Sequence, residues 1–224
     1  MTFYDKKPIS DQGKNRQTGL PLREGFTTKN RLVLAHHLIF TGYGHWIAND
    51  PRGSESVELR EKKFEDLGPI HPGRKRIQPP RGQVKEFYKQ ANPRMEFEPF
   101  WFDQGMRNDI ANAFSRVIRK RKYTVWGCAI LSNHVHLCVR RHRDNGQTMW
   151  KILAGEVREE INHWNGISPN HPLWSQRVYV IYLHTPDDIR RVVGYIQNNP
   201  IKERLEKQEW EFVQPYNGWP YPQT

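Results

Sequence analysis

Residues 125–140 leave this chain little conformational choice. Val125-Trp126-Gly127-Cys128-Ala129-Ile130-Leu131 and His134-Val135-His136-Leu137-Cys138-Val139-Arg140 are two apolar runs of strand length, and only Ser132-Asn133 lies between them. Strands joined this tightly are antiparallel neighbours, because a parallel pair needs a crossover of about a dozen residues. The connection suits a hairpin, although it lacks the glycine that two-residue turns favour. Side chains alternate along a strand, so His134, His136 and Cys138 share one face while Val135, Leu137 and Val139 share the other. Imidazoles are an odd choice for a hydrophobic strand unless that face has polar work to do.

The histidine pair has two readings. Imidazoles two residues apart on a strand can converge on one divalent ion, and histidine is the commonest metal ligand. They can equally be ordinary strand residues hydrogen-bonded to neighbours or water. Cys138 on the same face raises the thought of zinc, but no fourth ligand follows at a familiar zinc spacing.

The surrounding periodicity sets the fold. Arg31 to Phe40 reads as a first strand, stopped by Thr41-Gly42-Tyr43-Gly44. From Asp103 the pattern turns helical, with Met106, Ile110, Ala113, Phe114, Val117 and Ile118 at three- and four-residue spacing. After the hairpin, Gln147 to Trp164 is a second helix with Trp150, Leu153, Val157, Ile161 and Trp164 on one stripe, and Arg177 to Leu183 is a fourth strand. Strand, helix, strand, strand, helix, strand is the split βαβ order. The expectation is an α+β, ferredoxin-like fold: a four-stranded antiparallel sheet with two helices on one face. The histidine strand is then central, with His134 and His136 on the uncovered face.

A further helix follows. Thr185-Pro186-Asp187-Asp188 combines an N-cap, a proline at the first helical position and an approximate capping box. The helix is expected to run to about Asn198, with Pro200 ending it or starting the next. Ile189, Val192, Val193 and Ile196 form its apolar stripe. Tyr195 flanks that stripe, and Asn199 lies one turn further on the same side. The helix could thus carry a phenol and an amide across the open sheet face. Each also has a plainer role, Tyr195 as edge packing and Asn199 as N-cap of a helix beginning at Pro200.

The remaining segments are polar. Residues 1–30 read as a basic N-terminal arm with Lys6, Lys7, Lys14, Arg16, Arg23 and Lys29. Residues 31–205 read as one domain, interrupted at about 49–99 by an insertion rich in breakers and carrying one short helix, Gln83 to Ala91. Arg74, Lys75, Arg76 and Arg81 within it form either a phosphate-contacting loop or a solvated cluster. Residues 206–224 are a proline-rich tail with Trp210, Phe212, Tyr216, Trp219 and Tyr221. Such aromatics stack on unpaired bases or dock on the body of the protein, the preferred reading here. Lysine and arginine number 35 against 24 aspartate and glutamate, a net charge of +11, which favours a polyanionic partner. Two strand cysteines suit a reducing compartment. There is no apolar stretch near the ~20 residues that span a bilayer and no signal-peptide core. A cytoplasmic protein with no membrane partner is the expectation.

Taken together, His134-Val135-His136 on a strand and Tyr195-Ile196-Gln197-Asn198-Asn199-Pro200 on a late helix resemble the HUH (histidine–hydrophobic–histidine) single-tyrosine transposases. The match is closest to the REP-associated tyrosine transposases and their insertion-sequence relatives. Gly42-Tyr43-Gly44-His45-Trp46 and Asn49-Asp50-Pro51-Arg52-Gly53 are similar to segments after the first strand in some of these proteins. The resemblance spans residues 32 to about 205. It implies that His134, His136 and Asn199 bind a divalent metal, Mg2+ or Mn2+, of which imidazole suits manganese better. It implies that Tyr195 is the nucleophile, cutting single-stranded DNA beside hairpins to leave a 5′-phosphotyrosine and a free 3′-hydroxyl during transposition. It also implies a nucleoid-associated enzyme acting as monomer or homodimer. The long insertion and Ser132, where relatives often have proline, depart from the pattern. The alternatives are a domesticated nucleic-acid-binding protein of the same fold that does not cut, and a metal phosphodiesterase using water, which would not need Tyr195.

Overall fold

A computed structural model describes residues 32–54, 56–59, 61–161, 167–176 and 178–221. Its hairpin is β2 (Val125–Ile130) and β3 (His134–Arg140), closed by Leu131 N–H donating to the His134 carbonyl at 2.8 Å. β1 (Ala35–Thr41) pairs antiparallel with β3 on one side and with β4 (Tyr179–Leu183) on the other. The sheet order is β2-β3-β1-β4, the α+β, ferredoxin-like arrangement, with the histidine strand inside the sheet. Register places Thr41 opposite His134 and Ile39 opposite His136, so these four residues share a face.

Two helices cover the other face. α2 (Gln104–Arg121) starts where Asp103 caps the Met106 N–H at 2.8 Å, and ends with Arg119, Lys120 and Arg121 in its last turn, where cations complement the helix dipole. It lies against α3 (Gly146–Ile161). Their inner stripes pack with Leu38, Phe40, Val135, Leu137 and Val139 into the larger core, which holds Phe102, Phe114, Met149 and Leu153. Arg116 ties the two helices on the outside through Glu156, at 2.8 Å, and Glu160.

α4 (Pro186–Lys202) covers the histidine face. Its start follows the sequence signal: Thr185 and Asp188 form a reciprocal capping box, with Pro186 in the first turn. Ile189, Val192, Val193 and Ile196 pack against Ala35, Trp126, Ala129, Cys138 and Leu183 in a second core. Each such side chain contributes roughly 1.5–3 kcal/mol when fully buried, enough to hold the helix across the sheet. The expected end of this helix needs correcting, since it continues through Pro200 to Lys202. Proline costs a helix most in its interior. Here it falls in the last turn, where Asn199 and Pro200 are both buried and Glu203 N–H closes the end onto the Asn199 and Pro200 carbonyls. Asn199 is therefore not the cap of a following helix.

Other boundaries shift by a few residues. β1 begins at Ala35, since burial starts only at Leu34 and Leu32 is exposed. The helix of the insertion, α1 (Arg81–Ala91), starts two residues early. The basic arm, Trp164 and Arg177 lie outside the described residues. Cys128 and Cys138 are free and buried in different cores, on opposite faces of the sheet. Among the described residues no helix is long and apolar enough to cross a membrane.

The chain forms two compact units, the smaller holding Ile47–Tyr88 and the larger Leu32–Trp46 with the chain from Lys89 onward. The smaller has a polar centre. Asp50 is fully buried and accepts from the Arg52 backbone N–H at 2.8 Å, from the Arg52 guanidinium at 2.9 and 2.6 Å, and from the Tyr88 hydroxyl at 2.5 Å. Buried Asn49 donates to the Phe64 carbonyl at 2.6 Å. The Asn-Asp-Pro-Arg-Gly segment is thus the knot of this unit.

In the larger unit the aromatic tail docks, except for Tyr221, which stays exposed. Phe212 enters the larger core with Trp210 and Val213 against it, while Tyr216 and Trp219 pack on the second core. Gly42, at the turn after β1, donates its N–H to the Asn133 carbonyl at 2.8 Å. A Cβ there would lie 2.7 Å from the Phe100 carbonyl oxygen, backbone that cannot swing aside. Gly42→Ala is expected to destabilise the protein by about 1–3 kcal/mol in urea denaturation. An unchanged midpoint would show that the turn can give way.

Candidate active site

β3 carries His134 and His136 to the same face, as the alternation requires. Their Nε2 atoms are 3.1 Å apart. His134 Nδ1 lies 2.7 Å from Asn133 Oδ1. His136 Nδ1 lies 2.9 Å from Nε2 of His37, which comes from β1. The three imidazoles form a row, His134–His136–His37, instead of converging on a point. Among the described residues no three His, Cys, Asp or Glu side chains are grouped to hold a metal ion together.

Burial keeps the inner rings neutral. His37 is pushed down to about 4 by burial. His136 is held well below the ordinary imidazole range, first by burial and then by the neighbouring His134 and His37. Neutral rings offer lone pairs, as metal ligation requires.

α4 supplies the other groups. Tyr195 stands edge-on to His136, ring centroids 5.4 Å apart, and to His37 at 6.2 Å. It remains 42% exposed, so a large substrate can reach it. Lys202 places its ammonium 5.4 Å from the centroid of the Tyr195 ring. One turn beyond Tyr195, Asn199 is buried, and its amide nitrogen has no hydrogen-bond partner. A buried, unpaired amide is rare in folded proteins and calls for a reason.

The Gly42–Trp46 turn walls the site near His134. Trp46 lies edge-on to the His134 ring at 5.5 Å, and its backbone is in the left-handed region at φ 51°. Such a conformation is costly for a bulky residue and clusters at functional sites. His45 holds the turn by donating from Nε2 to the Phe100 carbonyl at 3.1 Å, with Trp101 edge-on at 4.4 Å.

The residues fit a metal ion in part. Two imidazole nitrogens at a zinc-like bond length of about 2.0–2.1 Å lie roughly 3 Å apart when they subtend a right angle at one ion, and the Nε2 pair is separated by 3.1 Å.

Sequence reasoning did not single out His37. Alternation along β1 puts it on the same face as Ile39 and Thr41, but only the register between β1 and β3 brings it to His136. Arg74, Lys75, Arg76 and Arg81 belong to the smaller compact unit, Lys75 partly buried and the three arginines exposed.

No protein-family model matches this chain, and no curated protein does. Among solved structures it is similar to a REP-associated tyrosine transposase bound to a REP hairpin, at 12% identity and a TM-score of 0.42, over 88% of this chain and 81% of that one.

Proposed function

We propose that this chain is a metal-dependent DNA transposase that nicks and rejoins single-stranded hairpin DNA through a tyrosine nucleophile. The observation that carries the reading is one juxtaposition: Tyr195 stands against His136, whose Nε2 lies 3.1 Å from that of His134. Packing alone does not ask for a half-exposed phenol beside two inward-facing imidazoles. The same residues carry the resemblance to the HUH transposases.

His134, His136 and the Asn199 amide would hold Mg2+ or Mn2+. An ion bound there would polarise the scissile phosphate as a Lewis acid. The chain's own part is nucleophile and placement. Tyr195 Oη forms a bond to phosphorus and the bond from phosphorus to the 3′ oxygen breaks. The phenol proton passes to solvent, and the departing 3′ oxygen takes one up. The products are a 5′-phosphotyrosine and a free 3′-hydroxyl. The phosphodiester's energy stays in the new ester, so reversal rejoins the strand without ATP. Lys202, beside the phenol ring, favours an approaching phosphate by its charge. The +11 net charge of the chain favours the polyanion over longer distances. Arg74, Lys75, Arg76 and Arg81 are proposed contacts to DNA phosphates, positioning the strand without reading its sequence.

The test is incubation of the full chain with labelled single-stranded hairpin DNA from the flanks of its own gene, with Mn2+ or Mg2+. A protein–DNA adduct that survives a denaturing gel is the expected product. Tight binding with no adduct across several hairpins and both ions would point instead to the non-cleaving binding protein.

A further inference from the structure

His134 and His136 present each other the same atom, Nε2, at 3.1 Å. What those atoms can do is decided at the far side of each ring. A neutral imidazole carries one N–H, and which nitrogen holds it follows from the hydrogen bond the other nitrogen makes. His134 Nδ1 lies 2.7 Å from Asn133 Oδ1, an amide oxygen that only accepts. With the Asn133 amide in this orientation the proton of His134 sits on Nδ1, and its Nε2 carries a lone pair.

For His136 the choice falls to His37, whose Nε2 is 2.9 Å from His136 Nδ1. When His37 donates, His136 keeps its hydrogen on Nε2, aimed at His134. The pair is then closed by its own hydrogen bond. When His37 accepts, the hydrogen of His136 moves to Nδ1, and both Nε2 atoms are left with lone pairs 3.1 Å apart. Two lone pairs at that distance repel each other unless a cation lies between them. The other nitrogen of His37, Nδ1, is buried with no partner, so no neighbour fixes the state of His37. His37 is itself 3% exposed and seated in β1, so it also holds the plane of the His136 ring.

We infer that His37 is a positioning residue for divalent-metal binding: by accepting from His136 Nδ1 it turns the His136 Nε2 lone pair toward the ion shared with His134. The inference rests on the proposed ion site and goes beyond it, since His37 is not among the residues assigned to hold the ion. Partners of this kind are worth 10–100-fold in metal affinity.

The test is Mn2+ titration of the full chain by calorimetry, without DNA, alongside the metal-free melting temperature. His37→Leu removes the acceptor and is expected to weaken Mn2+ binding by about 10–100-fold. His37→Gln can place Oε1 where Nε2 stood, and is expected to stay within a few-fold of wild type. His37→Asn is polar, but its oxygen falls one bond short. It is expected to follow leucine, and it serves in leucine's place if the leucine variant does not fold. Wild-type affinity in the Asn or Leu variant overturns the positioning role. Equal weakening of Gln, Asn and Leu also overturns it, since that would reflect packing alone. No Mn2+ binding by the wild type overturns the ion site itself together with this inference, and is distinguishable from both.

Discussion

Tyr195→Phe is expected to abolish covalent capture of single-stranded DNA, lowering adduct formation by at least about a thousandfold, with the fold intact. The two side chains differ by one oxygen, so the ring that leans on His136 and His37 is retained. Tyr195 is 42% exposed, and its hydroxyl is not what seats α4. That seating comes from Ile189, Val192, Val193 and Ile196. Stability should change by no more than about 0.5 kcal/mol, as for other surface substitutions. DNA binding should persist, because the charge is unchanged. The measurement is the denaturing-gel adduct assay with a binding assay on the same hairpin. An undiminished adduct in the Phe variant would place the nucleophile elsewhere. Cutting that proceeds at the wild-type rate without an adduct would mean that water attacks and that Tyr195 has no chemical role.

The second large effect concerns stability. Asp50→Ala is expected to cost about 3 kcal/mol, the lower end of the range for breaking a buried ion pair. Asp50 has no exposed surface, and the side chain of Arg52 is 25% exposed. Removing the carboxylate takes from the guanidinium, the Arg52 N–H and the Tyr88 hydroxyl the buried acceptor they share, leaving the longer Arg52–Tyr88 contact at 3.4 Å. Solvent at the exposed part of Arg52 softens the loss, hence the lower figure. Hydrogen exchange followed by mass spectrometry reads it directly. Peptides within 47–88 should lose protection, with β1 to β4 as the internal reference. Unchanged exchange in 47–88 would show that the carboxylate is replaceable.

Both effects bear on what a sequence can reveal. The sheet was legible because period-2 and period-3.6 patterns alternate cleanly, and a two-residue connection admits only a hairpin. The start of α4 was legible because Thr185, Pro186 and Asp188 act locally. Its end was not, because the burial that carries the helix past Pro200 is a tertiary fact. The same holds at the site. His134 and His136 are announced by their spacing on one strand, and Tyr195 and Asn199 by theirs on one helix. His37 is hidden, because its approach to His136 joins residues 99 apart in the chain. What orders the smaller unit was also hidden, since its centre is an ion pair with hydrogen bonds. Apolar periodicity does not register such a centre.

The docked C-terminal segment has a consequence for association. β2 is an edge of the sheet. Along it, the Gln208 amide takes both backbone groups of Ile130, accepting its N–H at 2.8 Å and donating to its carbonyl at 2.7 Å. Further along, Gln214 N–H reaches the Val125 carbonyl at 2.8 Å. Residues 208–214 thereby occupy positions that a neighbouring strand would use, and an open ladder of that kind invites another chain. A second molecule seeking to extend this sheet must either peel that segment away or add at β4.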